Sequence, residues 1–193
     1  MISHDLFQHI RLILGMVTSL ALARLLNGLA RFIQHPTKIK IYPIHMGWVV
    51  TLLLFIIHFW WWEFRLQDTV QVWTFEKYLL VVSYAISFFL LSTLLFPDDM
   101  SEYDGFEGYF KSRQRWFFGL LAGNFVLDTL DGLLKGSAYV AALGVEFPAR
   151  NIVYIVLCII AMFVRNPKFQ LAFVSCTLLY EFSWIFRLYH TVQ

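Results

Sequence analysis

Six stretches of this chain, roughly residues 7–32, 44–66, 73–96, 114–136, 148–165 and 168–189, are each apolar over about the length an α-helix needs to cross a bilayer. Nothing constrains the fold more. A backbone in hydrocarbon finds no water for its N–H and C=O groups, so each stretch must satisfy its own hydrogen bonds as a helix. The composition agrees: 59% of residues are hydrophobic, 15% are charged and the mean hydropathy is +0.64, against a charged share of about 25% in soluble domains. The chain reads as one all-α polytopic membrane domain over residues 1–193. A net charge of +2, with the basic residues at the ends of apolar runs, excludes an extended nucleic-acid-binding face.

The punctuation fits six spans. Pro36 and Pro97 close the first and third, and Pro43, Pro148 and Pro167 open the second, fifth and sixth. Most tryptophans lie near helix ends, and the Trp60-Trp61-Trp62 run reads first as an interfacial belt, second as a stacking platform. The first span follows His4-Asp5 rather than a basic segment, so it reads as a retained helix, not a signal peptide. The acidic connection 97–111 carries Met100, Tyr103, Phe106 and Phe110 at near-helical spacing, which predicts a short interfacial helix. Cys158 and Cys176 fall inside spans and read as small buried hydrophobes.

Residues 14–31 align without a gap on residues 118–135. Gly15 falls on Gly119, Ser19 on Gly123 and Gly28 on Gly132, while Arg24 becomes Asp128 and Asn27 becomes Asp131. These helices start successive units of three spans, so the sequence predicts two inverted repeats, 1–96 and 112–190. Gly119 and Gly123 form a GxxxG matched by Gly15 and Ser19, a spacing that lets helix backbones approach closely. Helices one and four are therefore expected to pack together at the centre.

Charged groups inside spans are expensive and mark functional sites by default. With about 1.5 Å of rise per residue, Asp128, Glu181 and His58 share a depth, Asp131 and Glu63 lie further out, and Arg24 and Asn27 point towards the other side. Inversion offsets Arg24 from Asp128 by roughly 12 Å, so a bridge between them needs a bend of the arginine side chain or water. Asp128, Asp131, Glu181 and His58, with Arg24 as counter-charge, are thus expected to line a cation or proton path. The alternative is a sensor or interaction subunit in which the same network is structural.

No cofactor is expected. His45 and His58 share a helix, but no second helix offers a histidine pair for haem, and His4, Asp5 and His9 have spacings that specify no metal site. Asp128-x-x-Asp131-Gly132 matches only the opening of the CDP-alcohol phosphotransferase motif; the following Ala-Arg and the later glycine with two aspartates are missing. No HExxH, GxSxG or phosphate-binding glycine loop points to an enzyme. Basic residues are more numerous in the connections after spans one, three and five, which puts the termini outside a plasma or bacterial inner membrane. A chain this small leaves little room for a pore in one copy, so a homo-oligomer is expected.

Overall fold

The computed structural model describes residues 2–35, 40–63, 66–70 and 72–189, with side chains described from Phe7 to Arg187 except at residue 68. The metal reading of His4 and Asp5 falls outside the described side chains. Helices form at α1 (Ile2–Gln34), α2 (Pro43–Trp62), α3 (Leu66–Thr69), α4 (Phe75–Leu95), α5 (Phe106–Lys135), α6 (Ser137–Leu143), α7 (Glu146–Phe163) and α8 (Pro167–Tyr189). Among the described residues there is no strand, and six helices are long and apolar enough to cross a membrane. The protein is an all-helical integral membrane protein.

The helix starts follow local chemistry. Pro43 opens α2 at a position where its missing N–H costs nothing, and the Thr74 hydroxyl accepts from the Lys77 N–H to cap α4. Pro148 lies two residues inside α7, which begins at Glu146. Residues 106–111, expected as a separate surface helix, are instead the first turns of α5, because Phe106 and Phe110 are buried against the bundle. Gly136 ends α5 with a φ of +106°, a conformation that penalises any residue with a Cβ. The chain then turns into α6.

α5 packs on α7 and α4, α1 packs on α4, and α8 is held mainly by α2. The expected seam between helices one and four does not form: α1 and α5 do not pack along each other, although Phe32 of α1 meets Phe106 at the start of α5 with ring centroids 5.0 Å apart. Gly123 meets nothing within 4 Å, Ser19 is exposed, Gly119 touches Met162 of α7 at ordinary distance, and Gly15 faces Trp60 of α2. Close approach uses the other aligned pair. A Cβ on Gly28 would overlap the Phe96 ring at the end of α4, and one on Gly132 would come 2.9 Å from the Phe147 ring of α7. The halves also pair their helices differently, first with third in residues 1–96 and first with second in the remainder.

The bundle has two unlike ends. At the end away from the termini, Trp48 meets Phe117, Phe118 and Phe173 edge to face with centroids 5.2–5.4 Å apart. Beyond it His45 stacks on Phe106 and bonds to the Leu95 carbonyl at 2.8 Å. Gln114 and Gln170 both donate to the carbonyls of Ala161 and Val164, satisfying the last turn of α7 where no further helix can. This end is an aromatic plug, in which Trp48 Nε1, His45 Nδ1 and Gln170 Oε1 have no hydrogen-bond partner among the described residues. At the end carrying the termini, the core turns polar.

Candidate functional site

A cavity of about 80 Å³ lies between the ends of α2 and α5, the starts of α4 and α7, and the C-terminal half of α8. That volume holds a few water molecules. His58, Asp128 and Glu181, expected at one depth, all line it, together with Asp131 and Glu63, expected further out. Aromatic rings supply much of the remaining wall, including Phe55, Phe59, Tyr84, Phe125, Tyr154 and Trp184.

Each acid is held differently. Asp128 accepts from Tyr84 Oη at 2.9 Å, from Arg150 Nη2 at 2.5 Å and from Asn151 Nδ2 at 2.8 Å. Arg150 is itself positioned, since its Nε donates to Asn151 Oδ1 at 2.9 Å and its guanidinium lies over the Phe147 and Trp184 rings. Glu181 accepts from His58 Nδ1 at 2.6 Å, while His58 Nε2 accepts from the Trp62 indole N–H. That pattern puts the imidazole proton on Nδ1. Lys135 bridges two acids, donating to Glu63 at 2.9 Å and to Asp131 at 2.5 Å.

The last arrangement is unbalanced. One ammonium serves two carboxylates, and all three side chains are 5% exposed or less. The second oxygens, Glu63 Oε2 and Asp131 Oδ1, receive no hydrogen bond among the described residues, although buried polar atoms normally find partners. Glu63, one residue past α2, is pushed up to about 8, first by burial and then by the neighbouring Asp131, with Lys135 pulling the other way. A geometric ion pair would suggest a fully charged Glu63. Lys135 lies closer to Asp131 than to Glu63 and cannot neutralise both acids, which leaves Glu63 raised despite the ion pair.

Arg24 and Asn27 lie elsewhere. Arg24 donates to the Phe96 carbonyl at 3.0 Å and pairs with Asp98 at the other end of the bundle, which holds the Asp98 carboxyl below its ordinary value. Asn27 is exposed on α1. Arg24 is therefore the counter-charge of a surface acid, and Arg150 takes the role expected of it at Asp128. Arg150 and Lys135 look in sequence like the ends of spans; Lys135 is the last residue of α5 and Arg150 lies in the second turn of α7, and both side chains nevertheless line the cavity. The signal was Asn151, a polar residue inside the apolar run beside Arg150.

The tryptophan run divides its work. Trp62 lines the cavity, Trp61 is half exposed and Trp60 lies beside Gly15, with the Arg11 guanidinium 6.0 Å from its ring. Among the described residues no three His, Cys, Asp or Glu side chains converge closely enough to hold a metal ion. No family model, curated protein or solved structure matches the chain.

Proposed function

We propose that this protein is a small secondary transporter that exchanges a cation for a proton through a cavity open at the end of the bundle carrying the termini. One observation carries the proposal: four carboxylates line one internal cavity with only two permanent cations, and one oxygen of Glu63 and one of Asp131 are buried without a hydrogen-bond partner among the described residues. A site of this kind binds positive charge. Glu63 holds a proton near neutral pH, and an entering cation competes with that proton. The aromatic plug around Trp48 favours a carrier over an open channel, because a carrier keeps one side shut while the other is open.

The basic residues at the plugged end, among them Arg31, Lys40, Lys111, Arg113, Arg165 and Lys168, favour that end as cytoplasmic. The cavity then faces the exterior of a plasma or bacterial inner membrane. Proteoliposomes carrying an imposed pH gradient test the proposal, with sodium, potassium or tetramethylammonium chloride added outside. At least one salt should dissipate the gradient, and Glu181→Gln, which keeps a hydrogen-bond partner for His58, should remove the effect. Dissipation by none of them, or an unchanged rate in Glu181→Gln, contradicts the proposal.

A sensor or interaction subunit is the second reading. It is favoured by Asp128, whose three donors leave it fully occupied within the protein. An intact gradient for every salt would support it.

A further inference from the structure

The cavity does not end at its own walls. α7 and α8 are not packed along each other, and between them runs a groove of about 410 Å³ whose apolar lining includes Ala149, Val153, Leu157, Phe173 and Cys176. Ala149, Val153 and Cys176 are exposed, so the groove opens sideways where the bilayer lies. Arg150 and Tyr154 belong to both spaces, forming the partition between groove and polar cavity. Above them Glu146 ties α7 to α8, accepting two bonds from Arg187 at 2.6 and 2.9 Å and one from Tyr180 at 2.9 Å.

A polar cavity that shares its wall with a lateral apolar groove fits a ligand with two unlike ends. The head must be cationic, since the cavity holds more carboxylates than cations, and it must donate hydrogen bonds, since ionised carboxylates only accept them. A protonated amine meets both requirements, and the aromatic walls add cation–π attraction. The tail must be an alkyl chain, because the groove offers little else to bind and opens into lipid. We propose that the cation taken by this site is a membrane-borne alkylammonium amphiphile, entering between α7 and α8 with its amine among Glu63, Asp131 and Glu181 and its chain in the groove. This rests on the cation-binding role proposed above and narrows it to a substrate class.

Cys176 reports the tail directly. It is exposed in the groove, whereas Cys158 is fully buried. In lipid nanodiscs, the rate at which a bilayer-soluble maleimide alkylates Cys176 is measured alone, with n-dodecylammonium, and with methylammonium, whose binding is followed by tryptophan fluorescence. Dodecylammonium should slow alkylation at least fivefold and methylammonium should not. Protection should be lost in Ala149→Phe, which fills the groove, and weakened at least fivefold in Asp131→Asn, which leaves Glu63 to pair with Lys135. Because the bilayer is identical for every variant, partitioning of the amine into lipid cannot produce those differences. Methylammonium binding without dodecylammonium protection overturns the amphiphile while leaving a cation site. Equal protection in either variant also overturns it. If neither amine alters fluorescence or alkylation, the cation-binding role itself falls.

Discussion

Replacing Glu63 by glutamine separates the charge of this residue from its hydrogen bond. The amide oxygen can still accept from Lys135, which donates to Glu63 at 2.9 Å, but the group no longer titrates. In the native protein burial raises Glu63 from an ordinary value of 4.5 to about 8. A raised folded value means that the folded state keeps a proton the unfolded chain has released. The stability tied to that proton is complete below about 4.5 and is lost progressively as pH climbs through about 8.

Within that window a single group changes stability by at most about 1.4 kcal/mol per unit of pH. Between pH 6 and 7.5 the native protein should therefore lose up to about 2 kcal/mol relative to Glu63→Gln. Asp131, Lys135 and, further off, Asp128 face Glu63, and Arg11 of α1 shares a small cavity with it. These groups are present in both proteins, so only the difference between the two curves is diagnostic. Chemical unfolding of both proteins from pH 5 to 8 measures it. Curves that stay parallel across the whole range would refute a proton held at Glu63, and a native curve rising faster than the variant would reverse its sign.

Other outcomes follow from the packing. Gly28→Ala places a methyl group against the Phe96 ring, which is backed by Phe32, His45 and Phe106. It should destabilise by about 1–3 kcal/mol, and an unchanged unfolding midpoint would show that the ring moves freely. Arg150→Met strands the partly buried Asp128 and should cost about 3–5 kcal/mol, much of it recovered on adding Asp128→Asn. Purely additive losses in the double variant would deny their coupling. Trp48→Ala removes the centre of the aromatic plug and should cost about 3–5 kcal/mol. It should also raise passive proton leak in proteoliposomes, and a leak equal to that of the native protein would mean that the seal lies elsewhere.

Much of this architecture was legible before any coordinates, because lipid makes apolar length a strict code for helices. The depth of the polar groups was legible too, since rise per residue is fixed once a span is placed, and His58, Asp128 and Glu181 do line one cavity. Partners were not. Depth says nothing about rotation around a helix axis, so Arg24 could not be assigned to Asp98, nor Arg150 to Asp128. The glycine spacing misled for the same reason. GxxxG marks a face able to pack closely, but Gly119 and Gly123 do not meet α1, and close packing fell to Gly28 and Gly132, whose partners are phenylalanines from helices the alignment did not indicate. Cys176, expected inside, lines a lateral groove because α8 leans on α2 rather than on α7.

The sidedness of the cavity is open to direct measurement. Glu181→Cys in a background with Cys176→Ser leaves Cys158, which is fully buried, as the other thiol. A charged, membrane-impermeant maleimide is then applied separately to each face of oriented vesicles. Labelling of position 181 should be at least tenfold faster from the face carrying the termini, the end of the bundle at which the cavity lies, than through the plug around Trp48. Labelling from neither face, or faster from the plugged face, would contradict a polar cavity entered from one side of the membrane.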